Sequence, residues 1–364
     1  MEFGLSEDQR LMQDSVQRTL DKVSSLERVR VAAEAADPKA LDVWHALIEL
    51  GVPGILIAEE YGGAGLKLLD AALIAEVIGR FVTPVPYVAS AVMVPLALAA
   101  CGSQKQKKGW LPKLASGDIV GGIAISEHAA GARDGGGVEA KGGKLSGKSL
   151  FVLDFGAADI FVVADKTGSL YLVDAKAKGL TKIPLTTIDL TRSVGELQFD
   201  NVEAEPLLSG DTKVGLQRVL AAGRIILAAD TLGAGWMMID KAVDYAKERK
   251  QFGRVIGSFQ AVKHMCAEMA SELEPGRSLI WYAAYAFDEI PDEVTLVANH
   301  AKSYLCEVGR FVARTATEVH GGMGFTDLLG LHYWFKRIGL DRQLLGSPER
   351  VRKEVARAQG WGAY

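Results

Sequence analysis

The chain has 364 residues, and 49% of them are hydrophobic, which supports a large buried core and excludes intrinsic disorder. Lys and Arg number 41 against 45 Asp and Glu, so the net charge is −4 and lacks the basic surplus of a dedicated nucleic-acid or anionic-membrane binder. At roughly 150 residues per domain the length suggests two or three domains.

Three cysteines, Cys101, Cys266 and Cys306, are odd in number and contain no Cys-x-x-Cys. That argues against a disulfide framework or a zinc site and fits a reducing cytoplasm. The start, Met1-Glu2-Phe3-Gly4-Leu5-Ser6-Glu7-Asp8, is acidic and has no apolar stretch of the kind a signal peptide needs. The longest apolar stretch, 87–101, is broken by Ser90 and Pro95 and is too short to cross a bilayer, so no membrane span is expected.

In chain order, Ser6 followed by Gln9 is a capping-box pattern. Met12, Val16, Leu20 and Val23 continue it as one stripe of an amphipathic helix. A second helix is expected to start near Pro38, to turn Leu41, Trp44, Leu47 and Ile48 inward, and to stop at Gly51. Gly62, Gly63 and Gly65 form a loop before a third helix carrying Leu69, Ile74, Val77 and Ile78. Residues 88–100 read as a buried helix ended by Gly102.

From about 119 to 207 the pattern changes to short β-rich runs such as 160–164 and 170–173, parted by the turn signal Lys166-Thr167-Gly168. Gly142-Gly143 marks a further hairpin turn. No helices intervene, so a parallel sheet is disfavoured and a small antiparallel barrel or sandwich is expected. After Gly210 the helical period returns and persists. The expected division is 1–117 helical, 118–208 β and 209–364 helical.

No Gly-x-Ser-x-Gly, His-Glu-x-x-His or P-loop occurs. The histidines His45, His128, His264, His300, His320 and His332 form no metal-ligand pair at helical spacing, so no metal site is expected. Three segments stand out, each with a plain alternative. Ile123-Ala124-Ile125-Ser126-Glu127 presents Ser126 and backbone donors to a ligand, or is a buried strand ending in a turn. Glu248-Arg249-Lys250-Gln251-Phe252-Gly253 offers Arg249 for phosphate and Phe252 for stacking. Its alternative is ordinary helix-end chemistry, with cations suiting the dipole and Gly ending the helix. In His320-Gly321-Gly322-Met323-Gly324-Phe325, three glycines let the backbone approach a ligand, or simply make a loop.

Taken in order, these segments resemble the acyl-CoA dehydrogenase family of flavoproteins over nearly the whole chain. Gly62-Gly63-Ala64-Gly65 is similar to the family's N-terminal glycine turn, and Leu111-Pro112-Lys113-Leu114-Ala115-Ser116-Gly117 to its leucine-proline element. Phe199-Asp200-Asn201-Val202 resembles the element closing its β-domain. The resemblance implies an α+β multidomain fold: an N-terminal helical domain, a middle antiparallel β-barrel or sandwich, and a C-terminal four-helix bundle. It implies FAD, an acyl-CoA thioester substrate and an electron-transferring flavoprotein or similar acceptor. It also implies a homo- or hetero-oligomer, dimer or tetramer, whose C-terminal domains share the cofactor.

By the same resemblance, Ser126 and Phe151 lie near the flavin ring, Phe151 where tryptophan is usual. Leu153 falls where a threonine usually bonds the ring. Arg249, Phe252 and Gln260 match contacts to the FAD of a neighbouring subunit, and Gly321 and Gly322 match a close backbone approach to it. The family's catalytic Glu corresponds to Leu345, within Asp341-Arg342-Gln343-Leu344-Leu345-Gly346-Ser347-Pro348-Glu349. The alternative base position, directly before Arg224, holds Gly223. Three readings follow: a base-less subunit of a hetero-oligomeric enzyme, an active homo-oligomer with Glu349 as displaced base, or a non-enzymatic relative. Arg224, flanked by Leu220, Ile225, Ile226 and Leu227, needs a partner either at the site or elsewhere in the bundle.

Overall fold

The computed structural model describes residues 4–35, 40–133 and 135–361. Six helices lead: α1 (Glu7–Val23), α2 (Leu26–Glu34), α3 (Leu41–Glu49), α4 (Leu68–Arg80), α5 (Val94–Cys101) and α6 (Gln104–Ala115). The Ser6 hydroxyl accepts from the Gln9 amide and the Gln9 side chain accepts from the Ser6 amide, so α1 begins at its capping box. Pro38 lies outside the described residues; the expected helix is seen as α3, from Leu41, and is followed by a left-handed Gly51, with Trp44 and Leu47 buried but Leu41, expected inside, 48% exposed in the first turn. The nine-residue α2 was not among the expected helices; Ser25 caps it by accepting from the Arg28 amide.

The apolar stretch at 88–101 is one buried rod: a π-helical turn over Val88–Met93 runs into α5, and Gly102 ends it. The Asp154 carboxylate accepts from the Ala89 amide at 2.6 Å and the Ser90 amide at 3.3 Å, donors that a helix start leaves open.

The middle of the chain forms β1 (Gly121–Ala124), β2 (Gly137–Lys141), β3 (Lys144–Leu153), β4 (Ile160–Ala164), β5 (Leu170–Asp174), β6 (Leu180–Pro184), β7 (Val194–Glu203) and β8 (Glu205–Pro206). A five-residue helix, α7 (Ser126–Ala130), follows β1. The strands make one sheet in the order β6-β7-β3-β1-β4-β5-β8, with β2 paired to β3. Gly142 and Gly143, both at positive φ, turn the β2–β3 hairpin as expected.

The antiparallel expectation needs one correction. β1 pairs with β4 in parallel, from Gly121 opposite Ile160 to Ala124 opposite Val163. The crossover this requires is α7 plus the β2–β3 hairpin, and α7 is too short to betray itself by periodicity. One sheet face buries Val138, Leu145, Val152, Phe161 and Leu197. The other face buries Ile123, Leu153, Ile160, Val162 and Leu170 against the helices.

The remaining helices are α8 (Thr212–Glu248), α9 (Gln260–Leu273), α10 (Pro275–Glu289), α11 (Val294–His320), α12 (Leu331–Gln343) and α13 (Pro348–Ala358). α8 is long and apolar enough to cross a membrane by length and composition, yet 89% of its apolar window is buried inside the protein, which makes it the central core helix. Gly79 on α4 and Gly233 on α8 let the two backbones touch: a Cβ on Gly233 would stand 1.7 Å from the Glu76 carbonyl oxygen. α8 packs with α9, α10 and α11 as the bundle, and α12 and α13 close over α8 and α11. The larger of the two apolar clusters runs from Val16 in α1 to Leu345 after α12.

Candidate active site

The two positions a catalytic carboxylate would occupy by resemblance meet in space. A Cβ on Gly223 would lie 2.5 Å from Leu345 Cδ1 and 2.7 Å from Met93 Sδ. Leu345 is buried and sits at φ +56°, and Gly346 follows at φ +107°, where a side chain is strained. The tight 345–346 turn thus presses an apolar side chain onto α8 and onto the π-helical turn, and no proton acceptor stands there.

Arg224, only 2% exposed, is the adjoining charge. Its Nε donates to the Leu345 carbonyl at 2.9 Å. Its Nη1 donates at 2.6 Å to Asn299 Oδ1 and at 2.6 Å to the Glu354 carboxylate. Arg224 Nη2 and Asn299 Nδ2 are buried with no hydrogen-bond partner among the described residues. Arg224, Asn299 and Glu354 line a cavity of about 440 Å³, with His128, Gly168, Ala221 and Leu220 along its sides. Lys213, Gln217, Thr295 and Arg357 line it from exposed positions. His128 Nε2 is held 2.6 Å from the Asp165 carbonyl oxygen, which ties α7 to the β4–β5 turn.

Glu349 is placed elsewhere. It lies in the first turn of α13 with its side chain 60% exposed, and Arg342 donates to it at 2.7 Å. The amide and hydroxyl donors at the helix start, with Arg342, hold its carboxyl at about pKa 2. A base working near neutrality needs the opposite shift.

Ser126 and Phe151 are brought together: the Ser126 hydroxyl donates to the Phe151 carbonyl at 2.9 Å, so its proton is already committed. Phe151 is half-buried at φ +52°, on a bulge of β3, and Leu153 is buried beside it.

The segment after α8 corrects the helix-end alternative in one respect. α8 stops at Glu248 with Arg249 as its cap, and Phe252-Gly253, both at positive φ, turn a two-residue hairpin (Lys250–Gln251 with Arg254–Val255). Gly253 therefore ends a hairpin and not the helix. Phe252 is 91% exposed and meets the Phe259 ring edge-on at 6.1 Å, while Arg254 covers that ring at 4.0 Å. Gln260 Nε2 lies 3.0 Å from His264 Nε2. Arg249 is exposed and pairs with no acid among the described residues.

The glycine turn 321–324 sits at the same end. His320 stacks on Tyr245 at 4.7 Å, one turn before Arg249, and its buried ring is less basic than usual because burial disfavours the charged form. A Cβ on Gly321 or Gly322 would meet nothing within 4 Å. Gly324 has an internal reason: its Cβ would stand 2.6 Å from the Thr317 carbonyl oxygen. Arg249 and Phe252 are exposed, and the backbone at Gly321 and Gly322 is open. Asn299, Glu354 and Met93 escaped sequence reasoning; the only signal was that Arg224 needed a partner.

The acyl-CoA dehydrogenase N-terminal domain matches residues 6–118 and the acyl-CoA dehydrogenase C-terminal domain matches residues 214–360. An acyl-CoA dehydrogenase IpdE2 of Mycolicibacterium smegmatis is 29% identical over 96% of this chain and 98% of its own length. An acyl-CoA dehydrogenase of Bacillus subtilis is 32% identical over 76% of this chain and 78% of its own. Among solved structures, the ChsE4-ChsE5 complex from Mycobacterium tuberculosis contains a chain that superposes with TM-score 0.90 at 26% identity, over 99% of each chain. A glutaryl-coenzyme A dehydrogenase in complex with glutaryl-CoA gives 0.89 at 27%, over 100% of this chain and 97% of that one. The fold and these matches define a flavin-dependent oxidoreductase of acyl-CoA thioesters. The chain belongs to the acyl-CoA dehydrogenase family, and its cofactor is FAD.

Proposed function

We propose that this chain is a subunit of an acyl-CoA dehydrogenase that holds FAD and an acyl-CoA thioester but does not supply the catalytic carboxylate. The observation that carries this is that Leu345 and Met93 both crowd the spot where a side chain on Gly223 would stand, so both usual base positions fall on one apolar spot. Glu349, outward and ion-paired, does not fill the gap, so a displaced base at that residue is disfavoured. The base then comes from a second kind of chain in a hetero-oligomer, dimer or tetramer. The likeness to a chain of the two-component ChsE4-ChsE5 complex supports that arrangement.

Bound FAD supplies the hydride acceptor for dehydrogenation between the acyl Cα and Cβ. Arg249, Phe252 and Gln260 would hold the cofactor of an adjoining subunit, with Gly321 and Gly322 admitting it close to the backbone. Ser126 and Phe151 would lie along its ring; Leu153, an apolar side chain, offers that ring no hydrogen bond. The exposed Lys213 and Arg357 suit the phosphates of a CoA thioester entering the 440 Å³ cavity. An electron-transferring flavoprotein or similar carrier would take the electrons onward. The cysteine pattern favours the cytoplasm as its location.

Co-expression with the neighbouring reading frames, followed by mass analysis and absorbance of the purified complex, tests this reading. A yellow complex containing a second acyl-CoA dehydrogenase-like chain with a Glu at the 345-equivalent position is expected. A colourless protein that takes up no FAD, or a flavin-loaded monomer, would contradict it.

A further inference from the structure

The last turn of α12 leads into the 345–346 turn and carries a carboxyl group, Asp341, that is fully buried. A helix C-terminus is the negative end of the dipole and disfavours a carboxylate. Lys302 on α11 donates to the Asp341 main-chain oxygen. The Cys306 thiol, whose ionisation burial opposes, donates to the Arg342 main-chain oxygen at 3.8 Å.

The charges around Asp341 do not balance. Four carboxyl groups gather here: Asp341, Asp230 on α8, Asp189 in the β6–β7 loop and Asp154 after β3. Among the described residues three cations answer them, Arg192, Arg337 and Lys302. All seven side chains are more than nine-tenths out of solvent. A surplus negative charge in such a place is costly, and a carboxyl group escapes the cost by keeping its proton.

The hydrogen bonds identify which group keeps it. Asp189 accepts from the Thr191 amide at 2.8 Å and hydroxyl at 2.5 Å, and lies 3.0 Å from Arg337. Asp154 accepts from the Ala89 and Ser90 amides. Asp230 stands between two guanidiniums, 3.0 Å from Arg192 and 3.3 Å from Arg337. The Asp341 carboxyl has Arg192 at 2.8 Å, which it shares with Asp230. Asp230 Oδ1 has no donor among the described residues, and the Asp341 carboxyl is within hydrogen-bond reach of Asp230. A proton on Asp341 removes the surplus charge and gives Asp230 a further donor. Burial pushes the Asp341 carboxyl up to about 8, with Arg192 pulling it down and Asp230 pushing it further up.

We propose that Asp341 is a positioning residue that works as a neutral acid: it accepts from Arg192, donates to Asp230, and so fastens the end of α12, with the turn that carries Leu345, to α8 and the β6–β7 loop. It acts on the acyl site through that turn and touches no ligand itself.

The test is urea unfolding of the purified protein from pH 5 to 7, wild type against Asp341→Asn, joined to infrared spectra of both at pH 7. Asparagine keeps the shape and both hydrogen bonds of the protonated acid and cannot ionise. A carboxyl raised in the fold contributes stability that is complete below its unfolded value of about 4 and is lost as pH rises toward the folded one. Asp154 titrates in both proteins and cancels. The folding constant of wild type is expected to fall relative to Asp341→Asn by about tenfold per pH unit, about a hundredfold across the range. The spectra should show a protonated-carboxyl band in wild type that the variant lacks. An ionised Asp341 in a plain salt bridge gives neither signal. Parallel stability profiles, a missing band, or an Asp341→Asn chain that does not fold each overturn the proposal. A third arm rests on the acyl-CoA reading: from pH 7 to 9 butyryl-CoA affinity should weaken about fivefold or more in wild type relative to Asp341→Asn. Equal weakening overturns the positioning role, whereas butyryl-CoA that binds neither protein at any pH overturns the acyl-CoA reading and leaves the first two arms to decide this one.

Discussion

Leu345 closes the wall of the site from within and contributes no proton acceptor. Its carbonyl is nevertheless held by Arg224 at 2.9 Å, and Arg224 Nη2 stands unpartnered near the 345–346 turn, 3.2 Å from where a Cβ on Gly346 would be. General-base catalysis is typically worth about 10²- to 10⁴-fold, so Leu345→Glu should raise acyl-CoA-dependent flavin reduction by the lone chain by about 10²-fold or more. The apolar surroundings should lift the pKa of the new Glu, and the rate should climb with pH. Stopped-flow rates across pH 6–9 check both; a variant as slow as wild type would mean the flavin and acyl group do not meet at this wall.

At the other end, Arg249→Ala should lower FAD affinity by about tenfold, the loss of one charge-assisted hydrogen bond. Fluorescence titration of apoprotein with FAD checks it, and unchanged affinity would leave Arg249 as a helix cap alone. The sequence marked Arg224 as a charge in want of a partner without naming the acid, which the structure shows to be Glu354 at 2.6 Å. Glu349 is nearer in sequence to Leu345, yet five residues at about 100° each turn the helix by roughly 140°, so Glu354 faces α8 and Glu349 faces solvent.

Helices with a long apolar period were legible as elements: α1 from its capping box, α4 and the 88–101 rod from their apolar runs, α8 from the return of period after Gly210. What stayed hidden was short or long-range. α7 carries too few residues for a period, and without it the parallel β1–β4 pair cannot be foreseen. The π-helical turn at Val88–Met93 also has no sequence signal, yet it brings Met93 against Gly223 and Leu345.

Asp154 fastens this turn to the sheet. Burial raises its carboxyl from 3.8 to about 6, partly offset by the Ala89 and Ser90 amides. A raised carboxyl pKa contributes stability that is complete below the unfolded value and is lost as pH rises through the folded one. Asp154 should therefore stabilise the fold below pH 4 and withdraw that contribution between about pH 4 and 6, by up to about 3 kcal/mol. Thermal melts of wild type and Asp154→Asn over pH 4–7 should show a steeper decline with pH in wild type; parallel curves would contradict this.

Across the whole molecule, the wall that carries Leu345 is pinned by a buried set of six charges. Arg192 pairs with Asp341 at 2.8 Å and with Asp230 at 3.0 Å, and Arg337 lies 3.0 Å from Asp189 and 3.3 Å from Asp230. Lys302 donates to the Asp341 carbonyl. Arg337 Nη2 also donates to the Thr83 carbonyl at 3.1 Å, so the β6–β7 loop, α8, α11, α12 and the chain after α4 converge on one point. Two guanidiniums meet three carboxylates there, with the Lys302 ammonium on a main-chain oxygen, and removing a guanidinium leaves buried carboxylate uncompensated. Arg337→Met should cost about 3–5 kcal/mol, read as a lower urea midpoint; a loss under about 1 kcal/mol would show that the pairs do not hold these elements together. None of these six residues was marked by the sequence, because their spacing along the chain follows no period.

We propose that the chain builds a flavin and acyl-CoA site without its own base. Anaerobic mixing of the FAD-loaded lone chain with a panel of acyl-CoA thioesters, followed at the flavin absorbance maximum, is the decisive measurement. Ligand binding without bleaching is expected of the lone chain, and bleaching once a partner subunit bearing the carboxylate is present. Fast bleaching by the unaccompanied wild-type chain would contradict it.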